Sequence, residues 1–306
     1  MNAGPRRLGR RAYIGGLVTC LGGLSGCAGV VGSAGGRSDP VSILAAGSLT
    51  NAFEHGLRPS LTTPVQVETH GSARIARMVA DGQKDPDILA VADAALFDGP
   101  VQPSWFAEFA TNSLVVAYNP DSEGGRRIAD AGAGGWFRPM VDGLVSLGRT
   151  DPDLDPLGYR TLFLLELASD YYETDVDLRE AIPSREQRYP ETQLVSQFET
   201  GGIDAAFTYR NMAVERDYEF VSLPSAIDLS DPTRSDEYAS ARYTLPSGKV
   251  VTGSPISYAS VIRNRDETIT DVFTEQIAGE YLREFGFSVP DTYPQFTGNV
   301  PDTIID

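Results

Sequence analysis

An α/β fold, with strands alternating with helices, is what this sequence predicts, on three observations. From Val41 onward, short apolar runs are each followed at once by a helical pattern. Gly-Ser ends two of those runs, in "SILAAGSLTNAF" at 42–53 and in "VQVETHGSARIARMV" at 65–79. The chain, at 306 residues, is long enough to bury one large core or two medium ones.

Residues 1–26 read as an address rather than a fold. Arg10-Arg11 in "RRAYIGG" precede a short apolar segment of small residues, "LVTCLGGLSG", too short to span a bilayer. That pattern predicts a twin-arginine export signal. It closes on "LSGC", in which Cys27 would become a lipidated N-terminus after cleavage. Residues 27–39 are rich in Gly, Ser and Ala and predict a flexible tether.

Val41–Ala46 then reads as a strand, and Leu49–Leu57 as a helix with Leu49, Phe53 and Leu57 on one face. Val65–Glu68 is a second strand, Ala73–Ala80 a second helix, and Ile88–Ala92 a third strand, together predicting a parallel sheet. Ser113–Tyr118 reads as a strand ending at the turn signal Asn119-Pro120. "DPDLDPLGYRTLFLLELASDYY" is a polar, proline-marked loop running into a long helix, and "GGIDAAFTYRNMAVERD" a turn, strand, loop and helix. Tyr218–Leu223 and Ser257–Arg263 are further strands, and "TEQIAGEYLREFGF" at 274–287 reads as an amphipathic helix.

Composition narrows the function. A formal net charge of −17 argues against nucleic acid or an anionic membrane surface as partner. Lys84 and Lys249 are the only lysines, and acidic excess with so little lysine suggests a halophile, where molar salt cuts the Debye length to about 3 Å. Both cysteines, Cys20 and Cys27, lie in or next to the leader, so the remaining chain has no disulfide, thiol nucleophile or cysteine-based metal site.

Four loops, 46–49, 70–73, 155–160 and 207–212, each precede a helix. Ligands of open α/β sheets bind at the carboxyl ends of strands, and helix N-termini suit anions. Ser48 and Ser72 could each donate a hydroxyl there, or serve as helix N-caps.

"AAGSLTNAF", "ETHGSARIARMV", "KDPDILAVAD", "WFAEFATNSLVVAYNP", "DPDLDPLGYR", "GGIDAAFTYRNMAVE" and the terminal "EFGF" resemble, in order and spacing over roughly 41–300, the archaeal-type molybdate/tungstate-binding proteins of ABC importers. The resemblance implies a class II periplasmic-binding-protein fold, with two α/β lobes and a ligand cleft between them. Lobe I would take 40–118 plus 255–306 and lobe II 119–254. It implies a lipid-anchored or exported protein that passes a molybdate or tungstate oxyanion to a permease and ATPase complex; with the leader, the expectation is a monomer anchored by lipid to the extracellular face of the cell membrane. No cofactor and no catalysis are implied.

By matched position, the oxyanion ligands are Ser48 and Ser72, with Asp155 as the carboxylate of the "DPxGYR" loop, while Tyr209 reads as either core-facing or lining the cleft. Relatives typically carry "EYRS", whose glutamate joins the aspartate on the metal. Here the sequence runs Thr208-Tyr209-Arg210-Asn211, with Thr208 in the place of that glutamate. A hydroxyl there predicts a tetrahedral oxyanion held by hydrogen bonds, with Asp155 touching the metal only if its coordination expands. It also opens the site to sulfate or another small oxyanion. The other classes are a sensor module without transport, and a hydrolase using Ser48 or Ser72. Against a hydrolase, His55 reads as a surface residue and His70 has no evident orienting carboxylate.

Overall fold

The computed structural model describes residues 39–305, apart from Pro100, residues 183–186 and Ser247. The expected leader, Cys27 and all of the tether but Asp39 lie outside the described residues.

Among the described residues, thirteen strands run in chain order. They are β1 Val41–Ala46, β2 Val65–His70, β3 Ile88–Val91, β4 Trp105–Asn112, β5 Leu114–Tyr118, β6 Leu147–Thr150 and β7 Arg188–Tyr189. Then follow β8 Ala205–Tyr209, β9 Glu219–Ser222, β10 Arg242–Thr244, β11 Val250–Thr252, β12 Ile256–Ile262 and β13 Gln295–Gly298. The first sheet has the order β13-β4-β12-β3-β1-β2, and the second β7-β6-β8-β5-β9. Strands β10 and β11 form a separate antiparallel ribbon.

The expected parallel sheet is only half of the first one. β1 pairs parallel with β2 and β3, as alternation with helices requires. β12 enters between β3 and β4, antiparallel to both. It arrives from far along the chain, so its local pattern at 257–263 announces a strand but not its place between β3 and β4. β5 lies in the second sheet, so the chain crosses between sheets at Ser113, before the expected boundary after 118.

The helical run beginning at Gly47 continues to Ser60 through 3-10, α and π turns. It buries Leu49, Phe53 and Leu57 completely, the face expected from their spacing. The expected helix over 274–287 is instead two elements. Glu267–Ala278 is α-helical, Gly279 turns left-handed at φ 72°, and Glu280–Phe285 continues as a 3-10 helix.

The crossing region is held by backbone bonds. Leu114 N–H donates to the Asp228 carbonyl and Ile256 N–H to the Leu229 carbonyl, each at 2.9 Å. Residues 228–229 thus lie between the outgoing strand β5 and the returning strand β12. Among the described residues no helix is long and apolar enough to cross a membrane.

Candidate functional site

The loops after β1, β2 and β3 lie at one end of the first sheet, because those strands are parallel. The loops after β6 and β8, also parallel, lie at one end of the second. The carboxyl ends of both sets carry every candidate cleft residue named above.

Ser48 sits in the 3-10 turn Gly47–Leu49, and Ser72 opens the helix Ser72–Ala80. Neither is an N-cap: those positions fall to Ala46 and Gly71, with no side-chain cap bond. The two hydroxyls have other work. Ser48 Oγ lies 2.9 Å from Tyr258 Oη, and Ser72 Oγ accepts from Ala92 N–H at 2.9 Å. Ser72 thereby ties the second loop to the one after β3.

Asp155 is the N-cap of the helix Pro156–Tyr171, its Oδ1 accepting from Leu157 N–H at 2.8 Å. Pro156 fits the first helical position because no N–H is needed there. Burial raises the Asp155 pKa above the carboxylate norm, against the Leu157 N–H and the Arg160 charge. Gly158 lets the loop 151–155 lie on the first turn, since a Cβ there would come within 2.5 Å of the Asp151 carbonyl carbon.

Arg160 follows on the same helix and is 9% exposed. Its Nη1 donates to Tyr209 Oη at 2.8 Å, and its guanidinium lies 5.8 Å from the centre of the Tyr209 ring. It meets no carboxylate within ion-pair distance among the described residues. Its charge is felt by Tyr159, Tyr209, Tyr258 and Asp155, and Asp93 after β3 acts on it in turn. Burial, opposed by Arg160, holds the Tyr209 phenol above its ordinary pKa, so it stays protonated. Asp155, Arg160, Tyr209, Tyr258 and Asp93 therefore form one electrostatic neighbourhood, to which Ser48 is joined through Tyr258.

Thr208 stands apart from it. Successive residues of a strand face opposite sides, and Tyr209 faces Arg160. Thr208, 3% exposed, donates instead to Met212 Sδ at 3.0 Å. Arg210 Nη1 donates to the Gly286 carbonyl at 3.1 Å. His55 is exposed as expected. His70 does have a carboxylate neighbour, Glu68 Oε1 at 3.0 Å from its Nε2, on the half-buried strand β2.

Three residues of this region were not expected from the sequence to take part in it: Asn112, Asn211 and Tyr258. Asn112 is fully buried, Asn211 is 3% exposed and Tyr258 2%. Asn112 Nδ2 donates to Asn211 Oδ1 at 2.8 Å and to Tyr258 Oη at 3.3 Å, and Asn211 Nδ2 donates to the Ser48 carbonyl at 3.3 Å. Asn112 and Tyr258 are polar residues in apolar strands, which was the available hint, whereas Asn211 lies on the helix Arg210–Glu215.

A family model described as "Bacterial extracellular solute-binding protein" matches residues 41–262. The chain belongs to that family. It is an extracellular solute-binding protein. A provisionally named ABC transporter molybdenum-binding protein of Haloferax volcanii is 50% identical over 302 residues, covering 97% of each chain. The molybdate/tungstate-binding protein WtpA of Pyrococcus abyssi is 30% identical over 244 residues, covering 71% of this chain and 69% of its own. The periplasmic molybdate-binding protein of Azotobacter vinelandii superposes with a TM-score of 0.51 at 13% identity, covering 82% of this chain and all of its own. That likeness concerns the fold: the solute-binding protein has the two-lobed class II architecture.

Proposed function

We propose that this solute-binding protein captures molybdate or tungstate as a tetrahedral oxyanion and performs no chemistry on it. The observation that carries the reading is Arg160: a buried guanidinium at the cleft end of a helix, bonded to a phenol and unpaired with a carboxylate among the described residues. Such a charge suits an anionic occupant. Ser48 and Ser72 supply hydroxyls, and the N-terminus of the helix Ser72–Ala80 supplies N–H groups and a positive dipole end. Asp155 spends one oxygen on its own helix, and Tyr209 holds Arg160 in place. The names of the Haloferax and Pyrococcus relatives support molybdate or tungstate as the oxyanion.

Sulfate is the second reading. Thr208 replaces the carboxylate that would expand a metal's coordination, and its hydroxyl is turned to Met212. Without that carboxylate, selection rests on size and hydrogen bonding. Catalysis is disfavoured because Ser48 meets Tyr258 and Ser72 meets a backbone N–H, so neither meets an imidazole base. The rest of the reading is a monomer with residues 114–254 as lobe II, lipid-anchored at Cys27, exported by the twin-arginine route and docking on a permease.

Calorimetric titration with molybdate, tungstate, sulfate and phosphate in high salt tests it. Molybdate or tungstate should bind more tightly than sulfate. No heat with any of the four would remove the proposal.

A further inference from the structure

Ser48 offers one hydroxyl proton, and the residues behind it decide where that proton points. Its Oγ and Tyr258 Oη are 2.9 Å apart, and either oxygen alone could be the donor. The direction follows from two amides. Asn112 Oδ1 accepts from the backbone N–H of Ser113 at 2.9 Å and of Asn211 at 3.4 Å. A backbone N–H can only donate, so the oxygen of Asn112 faces the backbone and its Nδ2 faces the other way. That Nδ2 donates to Asn211 Oδ1 and to Tyr258 Oη. Asn211 agrees independently: its Nδ2 donates to the Ser48 carbonyl, which can only accept, so its oxygen faces Asn112.

Tyr258 therefore already receives a hydrogen bond from Asn112. Its own proton, on a side chain 2% exposed, needs an acceptor. Asn112 Nδ2 cannot accept, and Ser48 Oγ is the remaining partner of Tyr258 Oη among the described residues. We propose that Tyr258, oriented by Asn112, donates to Ser48 and so leaves the Ser48 proton for the cleft. Tyr258 and Asn112 are positioning residues for the oxyanion site. Ser72 is set in the same sense, because its Oγ accepts from Ala92 N–H and keeps its proton for another partner.

The consequence is a preference. Two hydroxyls committed as donors suit a tetrahedral dianion with no proton of its own. A singly protonated oxyanion, such as hydrogen phosphate, brings a proton that these hydroxyls have no reason to accept. The inference rests on the oxyanion reading of the cleft, and its test has one arm with ligand and one without.

Tyr258→Phe removes the hydroxyl and keeps the ring, which packs against Phe287 at 5.1 Å and Phe109 at 6.4 Å. It should lower molybdate affinity about tenfold, the size of one hydrogen bond, and narrow the preference for molybdate over hydrogen phosphate. In a Ser48→Ala background the same change should cost less than about twofold, because its effect runs through Ser48. Equal losses in both backgrounds would overturn the proposal. The ligand-free arm uses tyrosine-labelled protein and proton NMR. The buried Tyr258 hydroxyl proton should give a resonance that is lost in Tyr258→Phe and shifted in Ser48→Ala. A resonance unmoved by Ser48→Ala overturns the donor direction even if no oxyanion binds. Ser48→Ala keeps that arm decisive should Tyr258→Phe fail to fold.

Discussion

Arg160 and Thr208 make opposite predictions at the scale of single residues. Arg160 carries a full charge within hydrogen-bond reach of Tyr209, whereas the Thr208 hydroxyl is turned to sulfur. Arg160→Gln should weaken molybdate binding by about 10- to 100-fold, the range for a hydrogen bond to a charged group. Arg160→Lys should recover part of that loss, because charge survives and the fork geometry does not. Thr208→Val, nearly the same shape, should leave affinity within about twofold, since the lost bond faces Met212 rather than the cleft. Calorimetry on the three variants separates these outcomes. Ser48 and Ser72 could be named as candidates from the sequence because each sits in a Gly-Ser pair beside a strand end, whereas Asp155 was named through the family resemblance. Tyr258 was named by neither. It lies inside an apolar strand, and its closeness to Ser48 comes from a pairing across 210 positions that leaves no local trace.

Among the elements, the helix Arg210–Glu215 shows how tightly the second sheet's helices meet the C-terminal segment. Gly286 has φ 82°, and a Cβ there would lie 2.8 Å from Asn211 Cα and 3.0 Å from the Arg210 carbonyl oxygen. Gly286→Ala should destabilise the protein by about 2–4 kcal/mol, through backbone strain and the clash together, as read by urea denaturation. It should also disturb Asn211, and through it Ser48, so affinity and stability should fall together. The strands β1, β2 and β3 and the helix Pro156–Tyr171 could be read locally, because each is an apolar or periodic run bounded by Gly, Ser or Pro. β13 and the break at Gly279 could not. The first depends on pairing with β4, and the second on a helix pattern that continues in sequence past the left-handed residue.

For the whole molecule, stability should answer both to ligand and to pH. Molybdate at about 100 times its dissociation constant should add about 2.7 kcal/mol to folding and raise the melting temperature. Asp228, 7% exposed between the crossing strands, has its carboxyl pushed up to about 6, chiefly by burial, with Asp231 adding to the shift and Ser230 opposing it. The folded state thus binds the Asp228 proton more tightly than the unfolded chain does. The stability this group contributes is complete below about pH 4 and is lost as pH rises through about 6. Asp228→Asn should flatten that part of the curve and leave the variant about 1–3 kcal/mol more stable than wild type at pH 8. Denaturant titrations of both proteins at pH 4.5 and pH 8 read the difference, which isolates Asp228 from Glu215, whose carboxyl is also raised, to about 7.

The position of β12 also sets an order of events during synthesis. It fills the middle of the first sheet, between β3 and β4, yet it is made after every strand of the second sheet. Until residues 256–262 leave the ribosome, β3 lacks one of its neighbours and β4 lacks both, since β13 is made later still, and unpaired strand edges are the kind of surface that recruits stray chains. The second sheet, whose five strands lie between residues 114 and 222, is complete by then. The growing chain therefore carries one finished half and one gapped half, and whatever holds the nascent protein apart from its neighbours has to act on the half that was started first.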